Sequence, residues 1–370
     1  MKYYILAGEA SGDLHAANLV KALREQDTQA QFRGFGGKRM QAEGVQLDRH
    51  IDQLAFMGFT EVLLHLRKIS ANFKTAKQSI SNFQPDVVIC IDYPGFNLRM
   101  LPFIKSLGIR TVYYISPQLW AWKAGRVKTI KQYVDHMLVI LPFEKAFYEG
   151  YDYQVEYVGH PLLDEISDMD AEPDFLPKNC LPDGSLVALL PGSRKQELKR
   201  SMPVLLEVAN ERADLQFVIA GAPSLDAAAY ASFDLPANVH LVHGQTYALL
   251  QHVKAALVTS GTATLETALF GVPQVVCYRG STLSYWIARR LVKVRFISLV
   301  NLIMNSELVP ERIQSSFNRR QLLRDLDDLL QPEKAAIMQQ GYMELRLKLG
   351  GQGASSRAAA IITDALHKAL

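Results

Sequence analysis

Ala256-Leu257-Val258-Thr259-Ser260-Gly261-Thr262-Ala263-Thr264-Leu265-Glu266 runs from an apolar strand pattern through a turn of small polar residues straight into a helix. A strand answered at once by a helix is the repeating unit of a parallel α/β sheet. The turn offers what an anion needs: the free N–H groups and partial positive charge of a helix N-terminus, a glycine for close approach, and the hydroxyls of Ser260, Thr262 and Thr264. A diphosphate fits that description, and Glu266, a few residues into the helix, can reach back to ribose hydroxyls. The same residues also describe a well-capped helix with Glu266 in a capping box, and from this stretch alone both readings stand.

The alternation continues outward in both directions. Short β-branched or aromatic runs at Tyr3 to Ala7, Asp86 to Ile91, Arg110 to Ile115 and His136 to Leu141 form a first series of strands. Leu186 to Leu190, Gln216 to Ala220, Val239 to Val242, Ala256 to Thr259 and Gln274 to Tyr278 form a second. Between them lies Asp164 to Gly184, rich in Asp, Pro and Gly and without periodicity, which reads as an interdomain linker. The pattern predicts two Rossmann-like, doubly wound α/β domains facing across a cleft, over residues 1–165 and 175–345, with a C-terminal helix in 350–370 packing back on the first. A length of 370 residues, at about 100–200 residues per domain, agrees with two cores.

Composition narrows the function. Hydrophobic residues at 49% and charged residues at 21% describe an ordinary globular enzyme. A net charge of +3 is too small to imply nucleic acid, which needs a concentrated basic face. Cys90, Cys180 and Cys277 are far apart, and two of them sit in apolar runs, so neither a disulfide nor a metal framework is expected. The N-terminus lacks a signal-peptide pattern, and no run approaches the ~18–20 apolar residues of a membrane span, so a cytoplasmic protein is expected.

In doubly wound sheets ligands bind outside the carboxyl ends of the strands. Pro191-Gly192-Ser193-Arg194 repeats the turn-and-hydroxyl design after another strand of the second series and adds an arginine able to grip phosphate bidentately; alone, Arg194 is equally a surface cation. Neither turn is a Walker A loop or a Gly-x-Gly-x-x-Gly fingerprint, which removes the main support for ATPase and dehydrogenase readings. In the first series Asp92 closes the strand Val87-Val88-Ile89-Cys90-Ile91, where a partly desolvated carboxylate can act as general base or, more plainly, cap the next turn. Glu9, in Gly8-Glu9-Ala10-Ser11-Gly12-Asp13, faces the same choice, and Ser11 or Asp13 is placed to cap the helix that follows. His160 is either a substrate-positioning group or a structural histidine, and Trp120 and Trp122 either stack on substrate or pack at the domain interface.

The stretch from Leu54 to Ile69, with Phe56, Met57, Phe59, Val62, Leu63 and Leu66 and cations at Arg67, Lys68, Lys74 and Lys77, has the apolar face and basic flanks of an interfacial helix. A buried core helix has much the same content. Tyr285-Trp286 through Arg289, Arg290, Lys293 and Arg295 is a second stretch suited to anionic lipid or to a solvated helix face.

Taken in order, Ala7 to Asp13, Met57-Gly58, Ile91-Asp92, Ser116-Pro117 with Trp120-Ala121-Trp122, Leu141-Pro142-Phe143-Glu144, Val158 to Pro161, Leu190 to Arg194 and Ser260 to Glu266 closely resemble the lipid-A-disaccharide synthases over nearly the whole chain. That resemblance implies a GT-B fold and an inverting glycosyl transfer. The donor would be UDP-2,3-diacylglucosamine, the acceptor 2,3-diacylglucosamine 1-phosphate, and the products a β-1,6 disaccharide 1-phosphate and UDP. It implies an acceptor-binding first domain and a nucleotide-sugar-binding second one. It makes Asp92, Glu9 and Arg194 catalytic candidates and assigns Gly192, Ser193, Arg194, Ser260, Gly261, Thr262, Ala263, Glu266 and Asn301 to the donor. Ser11, Met57 and His160 fall to the acceptor side or cleft, and Phe56, Phe59, Val62, Leu63 and Leu66 to membrane contact. No metal or cofactor is implied, nor a nucleic-acid partner; the protein would sit peripherally on the cytoplasmic face of the inner membrane, with a homodimer left open. The family commonly has a second acid where this chain has Gly95, and usually Pro-Asn-Leu-Leu where this chain has Val300-Asn301-Leu302-Ile303. The nearest alternatives are a UDP-N-acetylglucosamine 2-epimerase and a non-catalytic nucleotide-sugar-binding protein.

Overall fold

The computed structural model describes residues 1–54, 66–167, 169–281, 285, 290 and 294–367. Phe56, Met57, Phe59, Val62, Leu63 and most of the Trp286 to Lys293 stretch therefore lie outside the described residues. The chain forms two compact units, Met1–Glu165 with Gly350–Leu370, and Ile166–Leu349.

In the first unit β1 (Lys2–Leu6), α1 (Ala10–Gln26), β2 (Gln31–Gly36), α2 (Lys38–Ala42), β3 (Gln46–His50), α3 (Leu66–Phe83), β4 (Val87–Ile91) and α4 (Pro94–Ser106) follow one another. Then come β5 (Arg110–Tyr114), α5 (Val127–Tyr133), β6 (His136–Val139), α6 (Pro142–Glu149), β7 (Glu156–Tyr157) and α7 (Leu162–Ser167). The strands make one parallel sheet in the order β3-β2-β1-β4-β5-β6-β7. Strand β4 is buried at every position, because a parallel sheet covered by helices on both faces has no solvent side.

The second unit runs α8 (Phe175–Lys178), β8 (Leu186–Leu190), α9 (Lys195–Glu211), β9 (Gln216–Gly221), β10 (Val239–His243), α10 (Thr246–Leu250), β11 (Ala255–Thr259) and α11 (Thr262–Leu269). It continues with β12 (Gln274–Tyr278), α12 (Leu299–Met304), β13 (Glu311–Ile313), α13 (Arg319–Leu329) and α14 (Pro332–Lys348). Its sheet is again parallel, in the order β10-β9-β8-β11-β12-β13. The last helix, α15 (Ala354–His367), belongs to the first unit: the Thr363 hydroxyl donates to the side chain of Gln26 in α1 at 2.8 Å, and Arg357 donates to the carbonyl of Val158 at 2.8 Å.

The stretch expected to be linker is more ordered than its composition suggests. Asp164 lies in α7 and accepts the backbone N–H groups of Gly353 and Ser355, while Phe175 is fully buried in the core of the second unit. Among the described residues no helix is long and apolar enough to cross a membrane.

Candidate functional site

In both sheets the strand order reverses between two adjacent strands, and the candidate residues follow those strands. β1 pairs with β4, so Gly8-Glu9 and Asp92-Tyr93 emerge side by side; β8 pairs with β11, so Pro191 to Arg194 and Ser260 to Thr262 do the same. Crevices for ligands open at such switch points, because the crossovers leave in opposite directions there.

The first switch point is built around a carboxyl that is costly to ionise. Asp92 leaves the sheet with φ of 42° and Tyr93 follows with φ of 45°, left-handed conformations that non-glycine residues adopt rarely and that must be held in place. The clamp is explicit. The Asp92 N–H donates to Tyr114 O at 3.1 Å, while its carbonyl accepts from the Tyr113 hydroxyl at 2.6 Å and from buried Asn97 Nδ2 at 2.9 Å. Gly8 allows the Tyr93 ring to lie directly against the backbone; a Cβ there would sit 2.4 Å from the ring. Burial, with the neighbouring charge of Glu9 adding to it, pushes the Asp92 carboxyl up to about 7, against the N–H of Tyr93 that favours the ionised form. A carboxyl poised near neutrality suits proton abstraction from a hydroxyl.

Glu9 is the N-cap of α1 and exposed, and no side chain caps that helix. The expected cap by Ser11 or Asp13 is therefore corrected: Ser11 is exposed, and Asp13 instead reaches across to α2. Its carboxylate accepts the N–H groups of Gly37 at 2.6 Å and of Arg39 and Met40 at 3.1 Å. From the first turn of α1, Asp13 thus satisfies N–H groups at the start of α2.

His160 is buried, and its Nδ1 accepts the N–H of Leu162 at 3.2 Å, so the proton sits on Nε2. Burial, with His15 nearby, lowers its proton affinity to about 3. The ring is thus held inside the fold at the turn that opens α7.

Glu144 carries no role in the motif-by-motif reading, yet it is the second displaced carboxyl of this sheet edge. It caps α6 by accepting the N–H groups of Ile140 at 3.3 Å and Leu141 at 3.0 Å, and it accepts Trp120 Nε1 at 3.3 Å. Burial drives it up to about 7 despite those donors. The Ser116 and Tyr148 hydroxyls meet at 2.7 Å beside it, and Ile115 is held at φ of 67°, a position a β-branched residue rarely takes. This ties the Ser116 to Trp122 loop to α6, with Trp120 half-buried and Trp122 exposed. The sequence signal was present: a Pro at the first position of α6 with Glu two residues later is a helix-start signature.

In the second unit α11 begins at Gly261, which has no side chain to cap the helix. Among the described residues, a Cβ built on Gly261 would meet no atom beyond its own chain neighbours within 4 Å, so no described residue fills the space over this helix start. Thr262 is exposed and Ala263 and Glu266 are half-buried. The hydroxyls divide differently from the sequence expectation. Thr264 is buried and returns its hydroxyl to Gly261 O at 2.8 Å, and Ser260 donates to Ile297 O at 3.1 Å, which leaves Thr262 as the outward hydroxyl of the three. The capping-box alternative is absent, since the residue in its acidic position is Thr264.

At the neighbouring turn Gly192 has φ of 108°, and a Cβ there would meet the Glu197 side chain at 2.6 Å, so both backbone and space demand glycine. Glu197 folds back over the start of α9, accepting Ser193 N–H at 3.0 Å and the Arg194 guanidinium at 3.0 Å. Arg194 remains mostly exposed, with 58% of its side-chain surface accessible. A carboxylate thus already sits where an anion is attracted.

Asn301 requires a correction of role. It is fully buried, its Nδ2 donates to Val309 O at 2.8 Å and to Glu311 at 3.0 Å, and its Oδ1 accepts the N–H groups of Leu308 and Val309. Its side chain is committed within the fold, bracing the segment 308–311 against α12.

A cavity of about 670 Å³ lies elsewhere, at the amino ends of β5, β6 and β7, lined by Lys105, Arg110, Asp135, His136 and Asp364. It lies at the opposite end of the first sheet from the switch point that carries Asp92.

Two Rossmann-like sheets in this strand order, one with a desolvated carboxyl at its switch point and the other with two helix starts, make up a GT-B fold. Solved structures share the fold at low identity. A putative UDP-N-acetylglucosamine 2-epimerase from Listeria monocytogenes matches with a TM-score of 0.69 and 14% identity, covering 99% of this chain and 97% of that one. The calicheamicin glycosyltransferase CalG4 matches with a TM-score of 0.62 and 16% identity, covering 99% and 98%. Sequence is far more specific. The family model described as lipid-A-disaccharide synthetase matches residues 3–365. The lipid-A-disaccharide synthase of Syntrophus aciditrophicus is 42% identical over 98% of this chain and 97% of its own, and that of Myxococcus xanthus 40% identical over the same shares. The chain belongs to the lipid-A-disaccharide synthetase family.

Proposed function

We propose that the chain transfers 2,3-diacylglucosamine from UDP-2,3-diacylglucosamine to the 6-hydroxyl of 2,3-diacylglucosamine 1-phosphate, with inversion at the anomeric carbon. Asp92 takes the proton of the 6-hydroxyl, the oxygen bonds the anomeric carbon, and the bond from that carbon to the β-phosphate oxygen breaks. UDP leaves with the electron pair. The observation that carries this reading is the Asp92 carboxyl, burdened by burial and by Glu9 at the switch point of the first sheet. The first unit then handles the acceptor and the second the donor.

The departing diphosphate is met by the open helix start at Gly261 to Ala263, by the backbone around Gly192 and Ser193, and by Arg194 on exchanging Glu197 for phosphate. Those groups neutralise the leaving charge without a bound metal or other cofactor. Glu266 takes the ribose hydroxyls. Membrane contact at the cytoplasmic face of the inner membrane is supported by the apolar Phe56 to Leu66 stretch and by exposed cations Arg67, Lys68, Lys74 and Lys77 on α3.

The test is one incubation of purified protein with both diacylated substrates. Disaccharide and UDP in equal amounts support the reading; an epimerised donor without disaccharide replaces it with the epimerase, and binding without turnover replaces it with a carrier. Membrane contact is checked separately by co-sedimentation with anionic vesicles, which Phe56→Asp with Leu63→Asp should abolish and which, if unchanged, removes that segment from the proposal.

A further inference from the structure

We infer that Glu311 is the positioning residue of the donor turn, an inference that rests on the donor reading of the α11 start. Its carboxylate, at the first position of β13, gathers three donors: Ile297 N–H at 2.9 Å, Ser298 N–H at 2.9 Å and Asn301 Nδ2 at 3.0 Å. Ser298 is itself the N-cap of α12, its hydroxyl accepting Asn301 N–H at 3.2 Å. Held from both ends, the segment 297–301 has its Ile297 N–H turned to Glu311, and the carbonyl of Ile297 accepts the Ser260 hydroxyl at 3.1 Å.

Ser260 is also tied by its N–H to Cys277 O at 2.9 Å, so the residue before Gly261 is fixed at backbone and at side chain. One carboxylate on the sheet therefore sets where the helix start presents its N–H groups. Charge-assisted hydrogen bonds to backbone N–H are short and strong, and losing them leaves the donors of a half-buried loop unpaired. Glu311 touches no substrate in this arrangement. It acts through Ile297 and Ser260, and its effect belongs in donor affinity and not in the proton transfer.

Glu311→Gln keeps the shape but places an amide N–H₂ against backbone N–H groups; Glu311→Asp keeps the charge at shorter reach. UDP affinity by titration calorimetry, donor KM, kcat and thermal midpoint are measured for both, for Ser260→Ala, and for the Glu311→Gln/Ser260→Ala pair. The expected result is a UDP Kd and donor KM raised about tenfold in Glu311→Gln, a smaller change in kcat, partial recovery in Glu311→Asp, and a double variant no weaker than the weaker single, since both act on one contact. A lowered thermal midpoint with UDP Kd within about twofold of the parent, or effects that multiply in the double variant, overturns the inference. UDP affinity untouched by Ser260→Ala and by Gly261→Val alike overturns the donor reading beneath it, a result distinguishable because Glu311 plays no part in those two variants.

Discussion

The switch points of the two sheets share strand order and parallel register but are made of opposite materials. The first unit places a carboxyl there that burial raises to about 7, Asp92, on backbone held left-handed at Asp92 and Tyr93. The second places backbone N–H groups, glycines and short hydroxyls, with Gly261 open above and Gly192 forced to positive φ. On the proposed function the contrast follows from what each ligand asks of the protein. Removing a proton from an alcohol needs a base whose ionised form is costly, and desolvation supplies that. Binding a diphosphate needs many fixed dipoles with no proton of their own to exchange.

The largest effect should come from breaking the first edge. Asp92→Asn keeps size and hydrogen-bonding shape and removes the base, so kcat should fall by about 10²–10⁴. UDP affinity and thermal midpoint should hold. Near-normal turnover in a folded variant would show that the proton leaves by another route.

The pH profile sharpens the same edge. The active form of Asp92 is the ionised one, so kcat/KM should rise with pH through about 7 and flatten above it. At pH 5 it should stand about a hundredfold below the plateau, a single titration falling tenfold per unit. Since the Glu9 charge adds to burial in raising Asp92, Glu9→Gln should move the limb toward acid without returning it to the ordinary carboxylate range. Gly95 is exposed and among the described residues a Cβ there meets nothing within 4 Å, so Gly95→Asp should fold normally and move the limb the other way by adding a like charge. A profile flat from pH 5 to 8 would detach the displaced carboxyl from the rate.

The second edge breaks by filling space. Gly261 has φ of 163°, extended backbone that any residue adopts, and open surroundings. Gly261→Val should leave the thermal midpoint in place and raise UDP Kd about tenfold or more, read by calorimetry. Gly192→Ala offers the control, since positive φ and the Glu197 side chain make it destabilising wherever the ligand binds.

These edges were not equally legible in the sequence. Strands β1, β4, β5, β6, β8, β9, β11 and β12 stand out as apolar runs, because strands buried on both faces leave a continuous signature, while β10, at the sheet edge, shows only as an interrupted apolar stretch. β2, as Gln31-Phe32-Arg33-Gly34-Phe35-Gly36, is broken by glycines; Gly34 presses on β1, where a Cβ would overlap the Ile5 carbonyl. β3 lies at the sheet edge and is only half-buried, and β7 and β13 are too short to carry a pattern. Asp92 and the α11 turn were readable because each follows its strand immediately. Glu144 and Glu197 accept N–H groups only three or four residues back, a local signal, whereas Glu311 was not readable, since packing brings it the N–H groups of Ile297 and Ser298 from 14 and 13 residues away. Asn301 illustrates the reverse: a polar residue in a motif reads as a ligand group, while its burial and four local hydrogen bonds make it a loop brace.

The smallest effect tests how finely the second edge is divided. Thr262 and Thr264 are two residues apart on one helix start, and by sequence they are equivalent hydroxyl donors. In the fold Thr262 is exposed, while Thr264 is buried with its hydroxyl on Gly261 O at 2.8 Å. Valine matches threonine in shape, so Thr262→Val removes a hydroxyl facing the ligand and Thr264→Val removes one facing the protein. UDP Kd should rise about three- to tenfold for the first, the size of one hydrogen bond to a charged group. For Thr264→Val the change should appear in thermal midpoint, with UDP Kd within about twofold, because the Gly261 carbonyl it serves also accepts Thr264 N–H at 3.2 Å. Equal losses of UDP affinity in both variants would mean that the helix start rearranges when the diphosphate arrives, with Thr264 turning outward to join it. The second edge would then be as mobile in binding as the first is fixed in its strain.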